Sequence, residues 1–347
     1  MNPLSLRDIE DEARRRLDPA VYDFFAGGAG DEVTVRANEE AFSRIGLVPR
    51  VLCGGRAREP HITLLGRRMA LPVIIAPTAF HRLADPDGEL ATARAAAKAG
   101  VVMTLSMAST VAVEEVAAAG ADLWFQLYVQ PDLGFTEGLV RRAEAAGCAA
   151  LVVTVDSPVF GRRERDLRNG FLDLPPGLAC AHMDGRAIAF RTDLSWDDID
   201  WLRSITALPI VLKGVVHPQD ARLAVSHGVD ALAVSNHGGR QLDTVPATVE
   251  LLPDVANAVG GAVPLLLDGG VRRGADVLKA LALGADAVAI GRPVLWGLAA
   301  GGEDGVAHVL DLLRAELDAA LALCGCRAPR DACPDLLWRR TCSSCSS

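Results

Sequence analysis

"ARLAVSHGVDALAVSNHGGRQLD", residues 221–243, is the stretch from which the fold is read. An Ala-rich helical pattern runs to Gly228, where a glycine supplies the left-handed cap that ends a helix. The apolar run Ala231 to Val234 follows, and it carries no polar face. A strand apolar on both sides belongs to a parallel sheet covered on both faces. The same helix–glycine–strand unit recurs at 93–106 (ARAAAKAGVVMTLS), 114–128 (EEVAAAGADLWFQLY), 141–156 (RRAEAAGCAALVVTVD) and 278–291 (LKALALGADAVAIG). Three further apolar runs, LPVIIAP at 71–77, LPIVLKG at 208–214 and VPLLLDGG at 263–270, complete the set.

Eight strands are therefore expected near 73–77, 101–105, 123–128, 151–155, 210–213, 231–235, 264–268 and 287–291. Eight strand–helix units in one chain predict an α/β fold, the (β/α)8 TIM barrel. A doubly wound open sheet is the alternative, but no GxGxxG follows a strand, as a dinucleotide site of that fold would require. Residues 1–347 read as a single domain. Residues 1–70 form an N-terminal helical cap that includes a hairpin-like ITLLGRRM, and 71–325 form the barrel. An irregular insertion follows strand four at 172–200, and 326–347 form a tail.

Bulk properties narrow the function. Half of the residues are hydrophobic, ample for a large core, and the net charge is −9. That charge argues against nucleic acid or an anionic membrane surface as a partner. No apolar stretch reaches transmembrane length, and the charged N-terminus lacks the apolar core of a secretory signal. A cytoplasmic, reduced setting is expected. Of eight cysteines, five cluster at the C-terminal end, including Cys342 and Cys345. Their spacing matches no usual zinc template, so no metal is expected.

Active sites of such barrels lie at the C-terminal ends of the strands. Those ends carry Pro77-Thr78-Ala79, Ser106, Gln126 with Tyr128, Thr154 with Asp156, Lys213, Ser235 with His237 and Arg240, Asp268-Gly269-Gly270 with Arg272, and Gly291-Arg292. A single Ser or Thr there commonly satisfies loop backbone. Polar groups at all eight ends point instead to one ligand site. Glycines and arginines after strands seven and eight suit a phosphate, because backbone N–H groups can approach it and Arg272 and Arg292 bring forked charge. Lys213, at a barrel mouth, either forms a Schiff base or faces an anionic cofactor. Asp156 can orient the His237 ring and raise its basicity. Arg163 and Arg240 can clamp a carboxylate.

Together, APTAF, FQLYV, TVDSPVFGRRERDLRN, VLKG, SNHGGRQLD and DGGVRRGADVLKALALGA resemble the FMN-dependent α-hydroxy acid oxidase/dehydrogenase family. That family includes glycolate, long-chain hydroxy acid and lactate oxidases and mandelate dehydrogenase. The likeness extends from YDFFAGGAGDE to GRPVLWGLAAGGEDGV and looks closest to the long-chain hydroxy acid oxidase branch. It implies FMN as cofactor, a small 2-hydroxy acid as substrate and oxygen as acceptor, giving hydrogen peroxide, in a homotetramer. It also implies that Pro77, Thr78 and Ala79 line one flavin face, while Ser106, Gln126 and Thr154 bond the ring edge. Lys213 and Ser235 would lie at the pyrimidine end and in the cofactor shell. Asp268, Gly269, Gly270, Arg272, Gly291 and Arg292 would hold the ribityl chain and phosphate. His237 would be the catalytic base, supported by Asp156. Arg163 and Arg240 would bind the substrate carboxylate, and Tyr128 its hydroxyl.

Two positions depart from the glycolate-type pattern. Phe24 stands where those enzymes have a tyrosine that touches the carboxylate, and Ala108 where glycolate oxidase has a tryptophan over the substrate. The first change forgoes a neutral hydrogen bond, on the order of 1 kcal/mol. The second opens room, so a medium- or long-chain or aromatic 2-hydroxy acid is expected in preference to glycolate. A dehydrogenase with another acceptor, a tailoring oxidase on a specialised substrate, a Schiff-base aldolase or phosphosugar isomerase, and an inactive barrel that only binds a partner are the competing readings.

Overall fold

The computed structural model describes residues 3–53 and 58–339. Its centre is a closed barrel of eight parallel strands. These are β1 Val73–Ile75, β2 Met103–Ser106, β3 Leu123–Leu127, β4 Leu151–Thr154, β5 Ile210–Lys213, β6 Ala231–Val234, β7 Leu265–Asp268 and β8 Ala287–Ile290. Each strand pairs with its neighbours in chain order, and β8 closes onto β1 through Val288 against Val73 and Ile290 against Ile75. All eight expected strands are present, with ends shifted by no more than two residues.

Side chains alternate across each strand and fill two separate layers. One set packs inside the barrel: Ile74, Trp124, Val152, Val211, Leu266 and Ala287 are all buried. The other set packs outward against the ring of helices. A hairpin of Ile62–Leu64 against Arg67–Met69 adds Leu64 and Met69 to the interior cluster and plugs the N-terminal end. Towards the opposite end the interior residues become small, with Ala76 and Ala289 lining a cavity instead of filling it.

Three cap helices, α1 Leu6–Arg16, α2 Pro19–Ala26 and α3 Val33–Ser43, precede the hairpin. Ser5 and Asp18 cap the first two by accepting from backbone N–H groups. Helix α1 packs along the C-terminal helix Arg292–Leu323, which bends at Gly301–Gly302. The expected insertion is irregular up to Ser195, but its last five residues are the first turn of the helix Trp196–Ile205, started by a Ser195–Asp198 capping box. The first part of the tail is ordered against the cap. Leu337–Arg339 pairs antiparallel with Ile45–Leu47, after short 3-10 turns at Pro329–Asp331 and Pro334–Leu336. Cys342 and Cys345 lie outside the described residues. Among the described residues no cluster of His, Cys, Asp or Glu could hold a metal ion, and no helix is long and apolar enough to cross a membrane.

Candidate active site

All eight strand ends contribute to the lining of one cavity of about 1020 Å³, while Asp156 and Ser235 lie behind that lining, in contact with His237 and Lys213. The cavity is at the upper limit of small-molecule sites, which are roughly 300–1,000 Å³. It has room for a cofactor together with a substrate.

At its centre, His237 Nδ1 lies 2.8 Å from Asp156 Oδ1. The two residues come from the loops after β6 and β4. Ionised Asp156 can only accept, so Nδ1 carries the proton and Nε2 is left with its lone pair. Burial pushes the Asp156 carboxyl up, but the charge of His237, its hydrogen bond and the Lys213 ammonium outweigh it and hold the pKa down to about 2. Burial also disfavours a charged His237, the Lys213 and Arg240 cations add to this, and Asp156 only partly opposes them. The imidazole is therefore a neutral base below its ordinary value. The rate of any step that uses Nε2 as base should stay level as pH falls through about 6.5, the usual histidine pKa, and decline only below it. A rate–pH profile with its midpoint above that value would contradict this.

The approach of Asp156 requires Gly214, next after Lys213. A Cβ at this position, φ 110°, would fall 2.6 Å from Asp156 Cβ. Gln241 then binds the two catalytic loops together: it accepts from the Gly161 N–H at 3.0 Å and donates to the Asp156 and Val159 carbonyls. Its part is set by contacts about 80 residues away in the chain, which no local pattern displays.

Lys213 Nζ donates to Ser235 Oγ at 3.0 Å and lies 3.3 Å from Asp268 Oδ2. Ser235 Oγ donates to Asp268 Oδ2 at 2.9 Å and accepts from the His237 N–H at 3.1 Å. Burial opposes a charged Lys213, but Asp268 and Asp156 outweigh burial and hold its pKa above the ordinary range. A Schiff-base lysine needs a neutral amine, so the geometry favours a fixed cation facing an anionic ligand. On the other wall Gln126 is held by Ser106 and Thr154, at 3.1 Å each, and its Oε1 also accepts from the Met107 N–H.

Several buried polar atoms around the cavity have no partner among the described residues: Asp268 Oδ1, Asp156 Oδ2, Arg163 Nε and Arg272 Nε. An orphaned buried group of this kind costs about 1–3 kcal/mol. Their placement fits a ligand with hydroxyls near Asp268 and an anionic end near Arg272. Arg272 stacks over Trp296 at 4.9 Å and donates to Glu39 at 2.8 Å, which aims its fork. Arg292 lines the cavity and also holds the cap. Its guanidinium donates to the carbonyls of Phe25, Ala26, Gly27 and Gly238, locking the cap to the barrel. The position still offers the N-terminus of the helix Arg292–Leu323, a natural anion site. Gly269 and Gly270, at the end of β7, line the same part of the cavity.

Arg240 and Arg163 both line the cavity. Arg240 Nη1 donates to the carbonyls of Phe24, 2.7 Å, and Gly27, 3.0 Å. Burial, then the charges of Arg163 and Arg292, push its pKa well down. Burial also lowers that of Arg163, whose nearest carboxylate, Asp166, is 3.6 Å away. Two buried guanidiniums that repel each other are stabilised by an anion between them. Tyr128 stays protonated, because burial and Asp156 raise its pKa.

The remaining wall is apolar. Phe24 contacts Phe25, Phe80 and Phe171 with ring centroids 4.8–5.7 Å apart. Phe190, from the insertion, packs edge-on against Tyr128 and Phe160. Ala108 is 5% exposed and leaves its part of the wall low. Phe80, Phe160, Phe171 and Phe190 were not recognisable as lining residues, since each lies in a loop with no periodicity.

Residues 13–339 match the family model described as FMN-dependent dehydrogenase. An L-lactate oxidase of Nostoc sp. is 48% identical, over 95% of this chain and 96% of that protein. Glycolate oxidase 1 of Oryza sativa subsp. japonica is 50% identical, over 92% and 91% respectively. A solved structure of mandelate oxidase with 3,3-difluoro-2-hydroxy-3-phenylpropionic acid superposes with a TM-score of 0.92 at 46% identity, covering 97% of this chain and 99% of that one.

Proposed function

The chain belongs to the FMN-dependent dehydrogenase family, and from that premise we propose that it oxidises a 2-hydroxy acid bearing a medium- or long-chain or aromatic side chain to the 2-oxo acid, with dioxygen as acceptor. The observation that carries the substrate class is the pocket wall: Phe24 packed against Phe80 and Phe171, with the small Ala108 beside Phe80, whose N–H donates to the Ala108 carbonyl. Such a wall solvates a phenyl or alkyl group and offers glycolate nothing to bury. Relatives named for lactate, glycolate and mandelate share this scaffold, and the mandelate oxidase ligand carries a phenyl ring of the kind this wall would accept.

Lys213, Gln126, Thr154, Ser106 and Ser235 with Pro77, Thr78 and Ala79 would hold the flavin ring. Asp268, Gly269, Gly270, Arg272, Gly291 and Arg292 would hold its ribityl phosphate. Bound FMN supplies a two-electron acceptor that oxygen reoxidises with formation of hydrogen peroxide. Arg240 and Arg163 hold the substrate carboxylate, and the Tyr128 hydroxyl donates to the substrate oxygen. His237 Nε2 takes the proton that the hydroxy acid loses, and Asp156 stabilises the imidazolium so formed.

The test is an anaerobic flavin-bleaching series across 2-hydroxy acids of increasing side-chain size. Reduction should be faster for mandelate-sized and longer acids than for glycolate. Fastest bleaching by glycolate would overturn the substrate class, and no bleaching by any acid would overturn the activity. Ala108→Trp should reverse the order, costing the larger acids about 5- to 150-fold by overpacking the wall, roughly 1–3 kcal/mol. An unchanged preference would show that this position does not set specificity.

A further inference from the structure

Asn38, on cap helix α3, lies outside the cavity lining, yet its buried amide is built into the catalytic turn. Its Nδ2 donates to Asn236 Oδ1 at 2.9 Å, and Asn236 Nδ2 donates back to Asn38 Oδ1 at 2.8 Å. Asn38 Oδ1 also accepts from the Thr248 N–H, and Asn236 Nδ2 also donates to the Pro246 carbonyl. Both amides are at most 5% exposed. Asn236 directly precedes His237, which stands at φ 58° and is followed by Gly238 and Gly239 at 61° and 76°. A histidine in the left-handed region is strained and persists only where its surroundings impose it.

The cap imposes it from several sides. A Cβ on Gly239 would fall 2.8 Å from the Val35 nitrogen, so α3 lies directly against the turn. The Ala29 N–H donates to the Gly239 carbonyl at 2.8 Å. Asn38 reaches the phosphate-side loop as well: a Cβ on Gly270 would fall 2.0 Å from the Asn38 carbonyl oxygen. Asn38 thus touches the loops after β6 and β7 at once.

We propose that Asn38 is a positioning residue: its reciprocal amide pair with Asn236 sets the strained turn that presents His237 to the substrate, and ties that turn to the Gly269–Gly270 loop. This rests on the reading of His237 as the base. An aspartate at 38 keeps the shape and both acceptor bonds but loses the donor, setting a carboxylate oxygen against Asn236 Oδ1. Misplacing a base by a fraction of an ångström to an ångström costs up to about 10²-fold.

The experiment compares wild-type and Asn38→Asp holoenzymes in anaerobic flavin reduction by mandelate, with ¹⁵N-histidine NMR of the His237 Nδ1–H and a titration of FMN affinity. The expected result is a 10- to 100-fold lower reduction rate per bound flavin, a shifted or lost Nδ1–H signal, and FMN affinity within threefold of wild type. An unchanged rate with an unchanged Nδ1–H signal overturns the proposal. So does weakened FMN binding with a normal rate in the flavin-loaded fraction, which is a structural role only. If Asn38→Asp does not fold, Asn236→Asp breaks the same pair from the other side and is judged by the same results. Failure of wild-type flavin to be reduced by any 2-hydroxy acid would instead remove the functional reading, and the NMR signal would still judge the role of Asn38.

Discussion

His237→Ala is expected to slow flavin reduction by a 2-hydroxy acid about 10²–10⁴-fold, the usual contribution of a positioned general base, while FMN stays bound. The expectation rests on separable contacts. The imidazole meets Asp156 through Nδ1 at 2.8 Å, whereas the polar cavity wall is held by the Lys213–Ser235–Asp268 chain and the Ser106–Gln126–Thr154 chain. Alanine removes the base and leaves both chains intact. Stopped-flow reduction of the FMN-loaded variant measures the effect. A rate within tenfold of wild type would mean that another group takes the proton. Loss of flavin would mean that His237 belongs to the cofactor site.

Arg240→Met should weaken substrate binding by about 10- to 150-fold, since a charge-assisted contact is worth about 1.5–3 kcal/mol. Arg240 is buried, repelled by Arg163 and Arg292, and only partly occupied by the carbonyls of Phe24 and Gly27. A substrate carboxylate would relieve that repulsion. Because the same guanidinium also holds the end of α2, the variant should lose some stability too. Arg240→Lys separates the two effects: it keeps the charge without the fork. Affinity for a non-reacting carboxylate ligand should then fall for both variants, more steeply for methionine. Unaltered affinity in the methionine variant would remove Arg240 from carboxylate binding.

Much of the barrel was legible because its signals are local. Glycine at a helix end, a four-residue apolar run and a polar strand end are each read within about fifteen residues, and Gly228, Val234 and His237 show all three. The short strand near the C-terminus was not legible, for the opposite reason. Leu337–Arg339 becomes a strand only beside Ile45–Leu47, about 290 positions earlier, and three residues carry too little periodicity to announce it. The cap was likewise seen as helices without its purpose. Nothing in VRANEEAF indicates that Asn38 meets Asn236, or that the carbonyls of Phe25 to Gly27 take up the Arg292 guanidinium.

By itself, then, the sequence determined the eightfold strand–helix repeat, the polar residue types at the strand ends and, by resemblance, the flavin chemistry they imply. Those follow from backbone preference and hydrophobic pattern, which act between near neighbours. Beyond the expected Asp156–His237 pair, only the tertiary structure decided which groups meet: Lys213 as an ammonium held by Asp268, Gln241 between the loops after β4 and β6, and Phe24 against Phe80 and Phe171. Barrel closure sets those distances, and a side chain's partner, charge state and exposed atom depend on distances that the order of residues along the chain does not contain.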